Sequence, residues 1–173
     1  MQCYNIIVGF ENGAVSILDE KTLETVVDLV FFDMEISSII YNHSEDRIVI
    51  SSLSGEIKYW EFNRIRPENL DTDIDVKTLT LDSGITSISL DYKLEEGVAG
   101  TIDGALRYVS LVDKKYSEFI QGIDENNHIV ETILLSQDLL CTIHNLGNAK
   151  LWLATTGEIL KELKWKFSVI YFV

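Results

Sequence analysis

Ser54-Gly55-Glu56-Ile57-Lys58-Tyr59-Trp60-Glu61 reads as a turn glycine followed by a short apolar strand, and the chain carries that reading four times. The other copies are Asn12-Gly13-Ala14-Val15-Ser16-Ile17-Leu18-Asp19, Asp103-Gly104-Ala105-Leu106-Arg107-Tyr108-Val109-Ser110 and Leu146-Gly147-Asn148-Ala149-Lys150-Leu151-Trp152-Leu153. Their glycines stand 42, 49 and 43 residues apart. Two positions after the glycine come Val15, Ile57, Leu106 and Ala149; four positions after come Ile17, Tyr59, Tyr108 and Leu151; five after come Leu18, Trp60, Val109 and Trp152. The third position is polar every time: Ser16, Lys58, Arg107 and Lys150. Self-similarity at such a period marks a repeat architecture, in which each unit buries its faces against the next.

The flanks repeat as well. Ile36-x-x-Ile39-x-Tyr41, Ile85-x-x-Ile88-x-Leu90 and Val130-x-x-Ile133-x-Leu135 share one apolar spacing and precede polar turns. A second strand then leads to the turn glycine: Arg47–Leu53, Gly97–Ile102 and Leu139–Asn145. A fourth strand follows each octet, at Glu24–Leu29, Val76–Leu81, Tyr116–Gln121 and Glu158–Leu163. β-branched residues between glycine-marked turns indicate antiparallel hairpins, and no stretch keeps a 3.6-residue period. The expected fold is all-β: a β-propeller segment, about four blades of four-stranded antiparallel sheet. Residues 1–173 form one such segment, with repeats at about 1–32, 33–82, 83–124 and 125–164 and an extra strand at 165–173.

Counting back from Gly13 by the spacing of the other repeats falls ahead of Met1, so the first repeat lacks its innermost strand. The tail supplies one, because Phe167-x-x-Ile170-x-Phe172 has the first-strand spacing. Either the tail closes a four-bladed ring, or the chain is an arc of a larger propeller; the second reading is preferred. Phe167, Ile170 and Phe172 belong to an apolar, uncharged, β-prone stretch that must add to a blade edge, in this chain or a partner. Removal of residues 167–173 is expected to reduce solubility or assembly.

Composition narrows the function. Of 173 residues 46% are hydrophobic and 24% charged, a globular balance, and 28 acidic against 14 basic side chains give a net charge of −14. That charge speaks against nucleic acid and against an anionic membrane surface as partners. No window approaches the ~20 apolar residues of a membrane span. The first residues lack the basic start of a signal peptide, so the expected compartment is cytoplasmic. Asn42-His43-Ser44 fits a glycosylation acceptor that would then never meet its enzyme. Cys3 and Cys141 have no metal-type spacing and are expected to be reduced, buried thiols.

Little in the sequence points to chemistry. Asp71-x-Asp73-x-Asp75 begins like a calcium loop, but Val76 and Asp82 stand where such a loop needs Gly and Glu. His43-Ser44-Glu45 echoes the H-x-E of zinc deaminases without their P-C-x-x-C. His128 and His144 are read as packed strand residues. No catalytic, cofactor-binding or metal residues are assigned, no cofactor is expected, and the chain is not expected to be an enzyme. Arg64 and Arg66 form a basic pair on the longest connector, Asn63–Ile74, which also holds the chain's one proline, Pro67. They either pair with Glu68, Asp71 or Asp73, a weak surface interaction, or contact an acidic partner.

The period and strand pattern resemble the WD-repeat family over nearly the whole chain. Trp60-Glu61 sits where the family's Trp-Asp would be, and Trp152 fills the Trp position again. Thr101 and Asp103 match its Ser/Thr and turn Asp, and Ser52 matches the former. Leu18 and Val109 replace Trp, Phe10 and His144 replace Ser/Thr, and no Gly-His pair precedes a first strand. The family's Trp–Ser–His–Asp hydrogen-bond set is therefore incomplete in every repeat, and the blades are expected to rest more on apolar packing. Within the family, residues Glu96–Lys115 look like the divergent WD repeats of cilia- and flagella-associated proteins. This resemblance implies a non-enzymatic scaffold of the ciliary or flagellar axoneme, tethering complexes such as dynein arms. Its partners would be other proteins, among them another WD-repeat chain or doublet-associated assemblies. A generic cytosolic WD-repeat adaptor in trafficking, ubiquitination or signalling is the alternative, and a small four-bladed enzyme or ligand binder a second.

Overall fold

The computed structural model describes residues 5–61, 75–120, 128–136 and 138–164. Fifteen strands occupy these segments and assemble into four antiparallel sheets. The first sheet has three strands, β1 (Asn5–Gly9), β2 (Ala14–Asp19) and β3 (Thr25–Phe31), in that order. The second holds β4 (Ile36–Asn42), β5 (Arg47–Ser52), β6 (Glu56–Glu61) and β7 (Lys77–Thr80). The third runs β8 (Ile85–Leu90), β9 (Glu96–Thr101), β10 (Leu106–Ser110) and β11 (Lys115–Ile120). The fourth runs β12 (Ile129–Leu134), β13 (Leu139–His144), β14 (Asn148–Leu153) and β15 (Glu158–Lys164). Every connection inside a sheet joins neighbouring strands, so the chain is a row of meanders.

The repeated glycines set the hairpins. Gly13, Gly55, Gly104 and Gly147 all take left-handed φ values, between 78° and 87°. Such values cost a residue with a Cβ about 1–2 kcal/mol. Gly13 shows a second requirement, since a Cβ there would stand 2.1 Å from the Phe32 carbonyl oxygen. That closeness reflects a recurrent bond: the Gly13 and Gly55 carbonyls accept from the amides of Phe32 and Leu81, just beyond the sheet's last strand. At the opposite ends of the hairpins the left-handed positions fall to Leu23, Asp46, Leu94 and Lys114.

Burial is graded across each sheet. Most of β5 is buried, whereas β15 is exposed along its whole length and β11 along most of it. Strands β4, β8 and β12 pack side by side on the inner margin of successive sheets. The interior strands are buried on both faces, and the strand registers show a single packing rule. The face carrying the second and fourth positions after the glycine meets the fifth-position face of the next sheet. Val15 thus packs with Trp60, Ile57 and Tyr59 with Val109, and Leu106 with Trp152, each pair within one apolar cluster.

The polar third position has a place in this rule. Lys58 reaches back to the first sheet, where its ammonium donates to the Phe31 carbonyl and lies 4.4 Å from the centre of the Phe32 ring. Arg107, buried to 6% exposure, reaches back to Asp82 at the end of the second sheet. These side chains clamp consecutive sheets together.

Candidate interaction surface

Strand β6 delivers Tyr59 to the gap between the second and third sheets, where its hydroxyl donates to the Leu111 carbonyl across 2.6 Å. Burial holds this phenol above its ordinary pKa, with the Arg47 charge pulling the other way. Around it opens a groove of about 360 Å³ at the end of the molecule formed by the β4–β5, β8–β9 and β10–β11 turns. Its charged lining sets Arg47, Lys77 and Lys114 among Glu61, Asp75 and Glu95, three charges of each sign. Arg47 binds the Lys93 carbonyl at 2.9 Å and lies 3.5 Å from Glu95, which fixes one wall. Val112, 64% exposed, stands over the opening. In a chain of net charge −14, this is a locally balanced concavity with an apolar lip. No described feature of it resembles an activated nucleophile: the Tyr59 hydroxyl is spent on a backbone carbonyl.

The opposite end carries a second polar constellation. The Arg107 Nε bonds Asp82 at 3.2 Å and its Nη2 bonds Asp103 at 3.0 Å. Burial works against the guanidinium charge, but the two carboxylates outweigh it and raise the pKa. For Asp103, burial is outweighed by the Thr101 hydroxyl, the Ala105 amide and Arg107, and the carboxyl sits below its usual range. The Thr101–Asp103 pair read from the sequence thus exists as a hydrogen bond. That Asp103 and Asp82 share Arg107 is not read from the sequence, although an arginine four residues after a turn aspartate is a legible signal. In the fourth sheet the Trp152 indole donates to Thr142 at 2.9 Å, and Thr142 lies 3.0 Å from His144 Nε2. His144 is therefore a packed strand residue beside a Trp–Thr bond.

The remaining sequence candidates fall as follows. Arg64, Arg66, Phe167, Ile170 and Phe172 lie outside the described residues, as do Cys3, Asp71 and Asp73. His43, Ser44 and Glu45 occupy the β4–β5 turn, where the Asn42 side chain accepts the Ser44 amide at 2.8 Å. Burial raises the Cys141 thiol pKa, which disfavours the reactive thiolate. Among the described residues no three His, Cys, Asp or Glu side chains gather as metal ligands would. No described helix is long and apolar enough to cross a membrane.

No family model matches the chain, and no curated protein matches it in sequence. Among solved structures, the β-propeller domain of Cps50 (Swd1) from Myceliophteria thermophila superposes with a TM-score of 0.73 at 14% identity. The match covers 95% of this chain and 53% of that one, so the chain spans about half the length of the propeller it resembles. At that identity the likeness shows the fold: four consecutive β-propeller sheets.

Proposed function

We propose that the chain is a non-enzymatic protein-interaction scaffold of WD-repeat type, and that the groove between its second and third sheets is a contact surface. The observation that carries this is the groove itself. It is walled by the hydrogen-bonded Arg47 and Tyr59, balanced in charge within an acidic molecule, and lined in part by the exposed Val112. Its chemistry suits a peptide segment with an apolar anchor between side chains of both signs. Fold alone does not name a function, and the proposal rests on the surface.

The setting we propose is the cytoplasm, and within it the ciliary axoneme; the support is the resemblance carried by residues 96–115. Partners there would be axonemal dynein or doublet complexes. Affinity capture from native cells, with cross-linking, tests both levels. Val112→Glu together with Lys114→Glu should lower recovery of the principal partner about tenfold, the loss expected when a central apolar anchor worth about 1.4 kcal/mol is removed. Unchanged recovery removes the groove from the interface. Recovery of soluble trafficking, ubiquitin or signalling proteins without axonemal ones replaces the ciliary setting with a cytosolic adaptor.

A further inference from the structure

The glycine turns stand at the opposite end of the sheets from the groove, and over the first three sheets they form one continuous surface with the connectors between sheets. The Ile36 amide donates to the Phe10 carbonyl, the Leu53 amide to Glu35 and the Ile102 amide to Gly84. Leu53 joins the last two links, since a Cβ on Gly84 would stand 2.4 Å from the Leu53 carbonyl oxygen and 3.6 Å from the Ile102 side chain. Three large apolar side chains are open to solvent on this surface: Phe31 at 61%, Met34 at 50% and Ile102 at 51%. None of them belongs to an apolar cluster between sheets. The charge around them has one sign. Glu11, Asp33, Glu35 and Asp82 are exposed and Asp103 is half-buried. Among the described residues of these sheets, the cations that reach this end are Lys58 and Arg107, and both are already engaged. Lys58 donates to the Phe31 carbonyl and lies 3.6 Å from Glu56, and Arg107 holds Asp82 and Asp103. Arg107 also leaves one buried donor, Nη1, without a hydrogen-bond partner among the described residues. The groove end differs, with three charges of each sign in its lining.

We propose that the glycine-turn end is a docking surface for a basic amphipathic segment of a partner protein, one that presents apolar side chains flanked by Lys or Arg. Exposed apolar side chains rimmed by charge mark an interaction site, and the sign of the rim selects the partner. Carboxylates without neighbouring cations attract a basic segment and repel an acidic one over a Debye length, about 10 Å at 0.1 M salt. Phe31, Met34 and Ile102 then supply the apolar contact that holds it. The unbonded Arg107 donor suits a backbone carbonyl of the bound segment. Because this surface and the groove lie at opposite ends, the inference is independent of what the groove binds.

Fluorescence anisotropy of the full chain with a labelled synthetic peptide tests this, the peptide having leucines on one face of a helix and lysines on the other. Binding should weaken about tenfold as salt rises from about 0.05 to about 0.5 M. Asp33→Lys together with Glu35→Lys should weaken it about tenfold at low salt. Glu118→Lys together with Glu158→Lys makes the same change in net charge on the exposed outer strands β11 and β15, and should leave affinity within about twofold. Met34→Ser together with Ile102→Ser should weaken binding at both salt concentrations. Every one of these substitutions alters an exposed side chain, so the circular dichroism spectra should be unchanged. Equal losses from the two charge-reversed pairs overturn the proposal, because the peptide is then held by the charge of the whole molecule. Unchanged binding by the Met34 and Ile102 variant overturns it as well. So does an absence of binding at low salt, or equal binding of a peptide with glutamate in place of lysine.

Discussion

At the level of single residues, the two tryptophans at equivalent strand positions differ in one atom's surroundings. Trp152 Nε1 has the Thr142 hydroxyl, while Trp60 Nε1 is buried with no hydrogen-bond partner among the described residues, because Ile50 occupies the place in β5 that Thr142 has in β13. Trp152→Phe should therefore cost about 1 kcal/mol more than Trp60→Phe in urea unfolding, the net worth of one buried hydrogen bond. Equal losses would mean that the indole bond contributes nothing. Leu23 is a second case: it holds a left-handed φ of 57° while 63% exposed, so its side chain carries strain with little burial in return. Leu23→Asn should raise stability by about 0.5–1 kcal/mol, since Asn tolerates that conformation. The Asp103 carboxyl, held below the ordinary value of 3.8, sets a sign for pH. Its folded pKa is depressed, so its contribution is present above about pH 4 and is lost as pH falls through the folded value. Thermal melts from pH 5 to pH 2 should show this decline, and Arg107→Met should flatten it.

At the level of strands and sheets, the octets were legible because a turn that needs φ near 80° admits little but glycine, and because neighbouring sheets impose the same burial on each copy. All four turn glycines fall where the spacing puts them, and the strands around them do so with ends moved by one or two residues. Glu24–Leu29 becomes Thr25–Phe31, for example, as bulges against β2 lengthen the outer strand. In the fourth sheet, however, Ile129 and not Val130 takes the place of Ile36 and Ile85, each opposite the residue three before the glycine. The polar third position was legible as a pattern but not as a clamp. Lys58 and Arg107 act across a gap between sheets, and sequence order does not say which connector lies opposite. The groove was illegible for the same reason: Arg47, Tyr59, Lys77 and Val112 come from four elements and converge only when two sheets stack. Lys58→Met should separate clamp from packing. It keeps an unbranched side chain of similar length but loses the ammonium, and with it both the bond to Phe31 and the charge over the Phe32 ring, at a cost of about 1 kcal/mol by denaturant unfolding.

At the level of the whole molecule, burial peaks in the second strand of a sheet and falls towards the outer one, with β4 on the inner margin half-buried, β5 sealed and β15 fully exposed. An interior strand buried on both faces loses the alternation between inward and outward residues that ordinary sheets show. Resistance to change is consequently radial. Amide hydrogen exchange should sort the strands into concentric shells, with β5 and β9 slowest and β3, β11 and β15 fastest, whatever their order along the chain. The rim is then the part that can be rewritten at small energetic cost, and a new binding specificity can be built there while the hub keeps the sheets in register.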